Sequence, residues 1–204
     1  VFTVDGLMLD QKQPGFDASA YCEWIAKQGL NLKIIGRDTY SIVKEKVPEG
    51  KTFCSLCSRL RRGILYEYAY KNGYTKMALG HHRDDLNQTL MLNLFFAGKL
   101  SGMPPKLLSD DKRNVLIRPL SYVPEKLLIE LQHEMGFPVI PCNLCGSQDG
   151  MQRQKMKEML KDLEKEIPNL GATMLNAQKN VRTSQLSDKD LWDFSALERA
   201  ITEA

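Results

Sequence analysis

Two stretches of this chain put cysteines three positions apart. "FCSLCSRLRR" (53–62) holds Cys54 and Cys57, and "PCNLCGSQ" (141–148) holds Cys142 and Cys145. Thiols in such pairs form disulfides, take up zinc, hold an iron–sulfur cluster, or simply pack. A third stretch, "GHHRDD", gathers Gly80, His81, His82, Asp84 and Asp85. Its carboxylates have the charge to hold Mg²⁺ or orient a nucleotide, and a glycine lets a ligand approach the backbone. The plainer reading is a helix start with two acids placed for the dipole, and histidines at such turns more often only hydrogen-bond locally. Directly after the first cysteine pair, Arg59, Arg61 and Arg62 suit phosphates; the competing reading is a solvated helix face paired with Glu67.

Composition narrows these options. The chain has 204 residues, 43% hydrophobic and 26% charged, enough for one ordinary core and too apolar for global disorder. A net charge of +3, from 28 Lys and Arg against 25 Asp and Glu, is too small to indicate nucleic acid by itself. No apolar run reaches about 18 residues and no signal-peptide pattern opens the chain, so the expectation is a cytoplasmic protein without a membrane partner. In a reducing compartment an odd total of five cysteines makes disulfides the least favoured option. Zinc ribbons place their pairs about 15–20 residues apart, whereas residues 58 to 141 lie between these pairs. That favours a site at the mouth of one fold, and spacing leaves zinc and iron comparable. A cluster there can leave one iron open to substrate or sulfide. Cys22, mid-helix, reads as core.

The elements that position these residues follow from periodicity. Residues 1–10 alternate as a strand, "ASAYCEWIAKQGL" (18–30) has helical spacing, and "NLKIIG" is a second strand. After the loop "VPEGKTFCSLCS" come a helix in "RLRRGILYEYAYKNG", a strand in "YTKMALG", a helix in "DDLNQTLMLNLFFAGK" and a strand at 114–120. Residues 124–136 form a helix bracketed by Pro124 and Gly136, and "FPVIPC" is extended. Such alternation predicts an α/β core over 1–150, a parallel sheet with helices on both faces, with both cysteine pairs in loops. Two helical patterns in 151–204 form a C-terminal helical appendage of the same domain. Ligands of such sheets bind beyond the carboxyl ends of the strands, which is where Gly80–Asp85 falls.

Taken together, "DQKQPGF", "CSLCSRLRRGILY", "ALGHHRDD", "GMPPKLLSDD", "IRPLSYV", "PCNLCGSQ" and "LWDF" resemble the tRNA 2-thiocytidine synthetase family of PP-loop ATPases, in the adenine nucleotide α-hydrolase-like superfamily. The likeness runs from about Leu9 to Phe194, and seven ordered blocks are far more specific than one Cys-x-x-Cys. The resemblance implies a Rossmann-like PP-loop fold and an ATP- and Mg²⁺-dependent enzyme that 2-thiolates a cytidine of the tRNA anticodon loop through an adenylated intermediate. It also implies a [4Fe–4S] cluster on three cysteines, carried onto Cys54, Cys57 and Cys145, with Cys142 as the reserve choice. Asp84 and Asp85 become the catalytic pair that binds Mg²⁺ or positions ATP; Gly80, His81, Arg61 and Arg62 become nucleotide-binding residues. Lys179, Arg182 and Lys189 are candidates for a tRNA groove. The implied partners are tRNA, ATP and a sulfur donor such as a cysteine desulfurase, with a homodimer as an option.

One departure stands out. The family's phosphate loop, Ser-Gly-Gly-x-Asp-Ser, does not occur in the 204 residues, and the chain starts at what would be the second strand, on Val1. The expectation is therefore a fragment without the first strand and phosphate loop, whose backbone N–H groups would grip the nucleotide. Two rivals remain. One is a non-catalytic zinc- or cluster-stabilised module that binds RNA or a protein partner. The other is a lysidine-forming ligase, which works on a cytidine in the same tRNA loop and needs no paired cysteines.

Overall fold

In a computed structural model of the chain, residues 2–140 and 152–198 are described. Cys142 and Cys145 lie outside the described residues. Strands β1 (Gly6–Asp10) and β2 (Leu32–Gly36) pair in parallel, Gly6 opposite Leu32 through Asp10 opposite Gly36, with helix α1 (Ser19–Lys27) as the crossover. Trp24 of α1 meets Phe137 edge-on at 5.7 Å, and Cys22 is half-buried.

Helix α2 (Tyr40–Lys46) has no counterpart in the sequence reading. Helix α3 (Cys54–Lys71) starts at Cys54, so the first cysteine pair lies in a helical first turn, not in the loop expected. Leu56, Cys57, Leu60 and Ile64, at spacings of three and four residues, form its more buried side. The N-cap residue is Phe53, whose side chain offers no acceptor, so the usual start signal is missing from the sequence.

Strand β3 (Met77–Ala78) runs parallel to β5 (Val115–Ile117), as anticipated. Strand β4 (Lys106–Leu108) departs from the all-parallel expectation by pairing antiparallel with β5, Leu107 opposite Leu116. The cause is the tight turn between them. The Ser109 N–H donates to the Asn114 carbonyl at 2.9 Å, Asp111 accepts from the Arg113 side chain at 2.8 Å, and Lys112 takes φ +59°. Antiparallel strands need only such a turn, whereas a parallel return needs a crossover. The described strands thus form two small sheets, β1–β2 and β3–β5–β4.

Helix α4 (Arg83–Leu92) is the centre of the packing, with Leu86 and Asn87 each 2% exposed. Helices α6 (Gln152–Glu166) and α7 (Leu170–Ala177) pack on it. The Asn87 amide donates to the Gly171 carbonyl at 2.9 Å and accepts from Gln178 at 3.1 Å. A Cβ at Gly171 would lie 2.8 Å from the Arg83 guanidinium, so a larger residue there would have to displace that side chain. Beyond Leu92 the helix widens into a π turn (Asn93–Ala97), closed by Gly98 at φ +60°. Helix α5 (Glu125–Met135) lies between Pro124 and Gly136 (φ +64°), as the sequence pattern indicates.

Candidate functional site

The carboxyl ends of β3 and β5 stay joined past the strands, because the Leu79 N–H donates to the Ile117 carbonyl at 2.9 Å. The turn Gly80–Asp85 therefore stands beside the loop that begins at Arg118. The Asp84 carboxylate accepts the Glu125 N–H at 2.7 Å and so ties the start of α5 to α4. The Asp85 carboxylate accepts the His82 N–H at 3.1 Å, and its other oxygen lies 3.5 Å from the Arg153 guanidinium. Both carboxylates thus serve as helix caps, each keeping about a quarter of its side chain exposed. Gly80 is exposed with nothing within 4 Å of a Cβ position, so space is open there.

His81 is half-buried. Burial, reinforced by the Arg118 cation, pushes its pKa below the usual 6.5. The Nδ1 atoms of His81 and His82 and the Nε atoms of Arg83 and Arg118 are buried without a hydrogen-bond partner. Buried polar atoms are nearly always paired. These four atoms lie in the turn after β3 and the start of α4, and directly after β5, with the Asp84 carboxylate 3.8 Å from His82 Nδ1 and 3.4 Å from the Arg83 guanidinium.

Gln11, directly after β1, is 7% exposed, and its amide donates to the Thr39 hydroxyl at 2.8 Å. The same nitrogen lies 3.3 Å from the Cys57 sulfur. Gln11 thereby joins the end of β1, the start of α2 and the first turn of α3, and it is the residue that sequence reasoning missed. Its only signal was membership of "DQKQPGF"; its partner is 46 positions away. Cys54 and Cys57 sit at the positive end of the α3 dipole, the sign that suits anionic sulfur ligands. The third ligand chosen from sequence, Cys145, lies outside the described residues.

Arg59, Arg61 and Arg62 are exposed on α3. Glu67, expected to pair with them, instead meets Lys71 at 2.7 Å. Tyr66 bridges toward the strand ends: the Asn114 amide donates to its carbonyl at 3.3 Å. Burial raises its phenol above the usual 10, opposed by the charges of Arg62 and Arg118.

An open cleft of about 540 Å³ lies between residues 100–105, Ser121–Tyr122 and residues 177–186, with Leu86 and Leu90 as its floor. Lys179 and Arg182 line it, and the Lys179 ammonium stands 4.6 Å above the Tyr122 ring. Lys189 is elsewhere, 5.6 Å from the Phe194 ring.

No protein-family model matches the chain. Over 196 residues it is 58% identical to the tRNA-cytidine(32) 2-sulfurtransferase of Bdellovibrio bacteriovorus, covering 96% of this chain and 75% of that protein. The chain belongs to the tRNA-cytidine(32) 2-sulfurtransferase family. Proteins of that name from Coxiella burnetii, 55% identical over 196 residues, and Legionella pneumophila, 50% identical over 203 residues, agree. The chain spans 77% and 72% of those proteins. The fold of this 2-sulfurtransferase family member is shared with the U34-tRNA thiolase NcsA from Methanococcus maripaludis, a structure that includes its [4Fe-4S] cluster. The TM-score is 0.62 at 23% identity, covering 85% of this chain and 59% of the thiolase.

Proposed function

We propose that the chain takes part in ATP-dependent 2-thiolation of cytidine 32 in the tRNA anticodon loop, in a PP-loop, Rossmann-like fold. The observation that carries this reading is the α3 start, where two thiols sit at a positive helix end and a buried Gln11 amide reaches Cys57. Thiol donors with a hydrogen-bonded outer partner fit an iron–sulfur cluster, and Cys54, Cys57 and Cys145 would hold it. When bound, a [4Fe–4S] cluster on three cysteines supplies one iron open to sulfur.

The remaining work falls to the chain's own side chains. Oxygen at C2 of cytosine is a poor leaving group, and transfer of AMP from ATP, with release of pyrophosphate, makes it a good one. Arg118 and Arg83, whose Nε atoms have no hydrogen-bond partner, and Arg61 and Arg62 on α3 offset phosphate charge. Gly80 leaves space for the nucleotide, with His81 beside it. Asp84 and Asp85 keep partly exposed lone pairs beside their caps and position Mg²⁺ and ATP. Sulfide then displaces AMP, its bond to C2 forming as the C2–O bond to AMP breaks; a donor such as a cysteine desulfurase would deliver that sulfur as a persulfide, which a two-electron thiol reductant would cleave to sulfide.

Iron and acid-labile sulfide counts on anaerobically purified protein test the reading. We expect a [4Fe–4S] stoichiometry that Cys54→Ser, Cys57→Ser or Cys145→Ser abolishes and Cys142→Ser leaves largely in place. Colourless, zinc-loaded protein would overturn the cluster and favour an RNA-binding module. The 204 residues contain no Ser-Gly-Gly-x-Asp-Ser, so by themselves they should bind Mg-ATP weakly and make no 2-thiocytidine. Micromolar affinity in calorimetry would show that the nucleotide site does not need that loop.

A further inference from the structure

The cleft beside Tyr122 has a composition unlike that of the strand-end turn. Among the described residues that line it none is Cys, His, Asp or Glu, so they bring no thiolate, imidazole or carboxylate. Its floor is apolar, its rim carries the amides of Gln178, Asn180 and Gln185, and among the described residues its only charges are Lys179 and Arg182. Neither cation has an acidic partner among the described residues, and Tyr122 is 59% exposed.

We propose that this cleft binds one unpaired nucleotide of the substrate RNA loop, a neighbour of the one that reacts, with its base against Tyr122 and its phosphate on Lys179 and Arg182. The inference rests on the function proposed above. Three observations carry it. Tyr122 is exposed with the Lys179 ammonium over one face of its ring, and an exposed aromatic combined with a cation is how single-stranded nucleic acid is held without reading its sequence. Two cations with no opposing carboxylate match the charge of one or two phosphodiesters. A volume of about 540 Å³ lies in the range of small-ligand sites and is open along one side, as a base arriving on a continuous strand requires. Mg-ATP fits less well, because the cleft has no carboxylate for the metal. The Pro104 carbonyl in the cleft wall accepts from Arg118, so the pocket and the strand-end turn share a wall.

Fluorescence anisotropy of the full chain decides this, with three probes: a labelled RNA stem–loop bearing the unmodified anticodon loop, the same stem as a blunt duplex, and Mg-ATP. Tyr122→Ala should weaken stem–loop binding about ten-fold and leave duplex binding and iron content alone, while Tyr122→Phe stays within about twofold of wild type. The double variant Lys179→Ala/Arg182→Ala should flatten the log affinity against log salt slope by about 1.4, the value for two single-strand phosphates. Unchanged stem–loop affinity in either variant overturns the proposal, as does a Tyr122→Ala loss that is equal for loop and duplex or confined to Mg-ATP. If wild type binds no RNA, the proposed function fails with it; if wild type binds and Tyr122→Ala makes no difference, only the cleft assignment fails.

Discussion

Helices α3 and α4 start in opposite ways. At α4 the acids of the first turn face backbone: Asp85 accepts the His82 N–H and Asp84 the Glu125 N–H. At α3 the N-cap is a phenylalanine, the first turn has no acid, and Cys54 and Cys57 occupy it. The same positive helix end is used twice. In α4 it is engaged by the chain's own carboxylates and fastens two helices together; in α3 it is presented to sulfur, with Gln11 buried behind Cys57. One start is architecture to which we assign a second use, and the other is the place proposed for a ligand set, with Gln11 as its support.

The largest expected effect comes from the sulfur side. Cys57→Ala should lower iron content at least ten-fold in anaerobic protein, while Asp85→Ala should leave it near wild type. Iron lost from Asp85→Ala would erase the distinction between the two starts. Next in size, Asp84→Ala or Asp85→Ala should each cost about 1 kcal/mol of stability through the lost cap, read as a lowered midpoint in urea unfolding. A midpoint unmoved by either would mean that the carboxylates are not structural.

A smaller effect is expected at Gln11. Replacing Gln11 by Leu removes a donor to sulfur while keeping a similar volume, so the cluster should still bind but with a lower reduction potential, since hydrogen bonds to the sulfurs help to set it. Potentials that match within error would show that the 3.3 Å contact does not act on the sulfur. The smallest effect is a pH dependence at His81. Its folded pKa lies below 6.5, so the folded state disfavours the protonated form. Its share of stability is complete above about 6.5 and is lost as pH falls through the folded value. His81→Gln should flatten that part of a stability profile between pH 7 and 5; an identical slope would assign the dependence to other groups.

Much of this was legible in the sequence where signals are local. Pro124 and Gly136 bracket α5 as helix punctuation, and Gly80–Asp85 follows a short apolar strand and opens a helix with acids, so its place at a strand end could be read. The α3 start was not legible, because Phe53 is no capping residue and "VPEGKTF" resembles loop up to the cysteines. Strand β4 had no counterpart in the sequence reading: only three residues long, Lys106–Leu108 pair directly after Pro104 and Pro105, too short a run to show a period. The Gln11 contact with Cys57 and the cleft around Tyr122 are products of tertiary packing, and no periodicity announces a contact across 46 positions. The α/β class came from alternation alone; the antiparallel edge came from a turn whose hydrogen bonds are specific to Ser109–Asn114.

The π turn at Asn93–Ala97 acts as a phase shifter. A wide turn of this kind amounts to one residue inserted into an α-helix, and each residue of helix advances the chain by about 100°. The 100–105 wall of the cleft leaves α4 in the direction that this extra residue sets. Deleting a single residue between Asn93 and Ala97 would restore a regular helix, keep Leu86 and Asn87 packed, and swing that wall away from Tyr122.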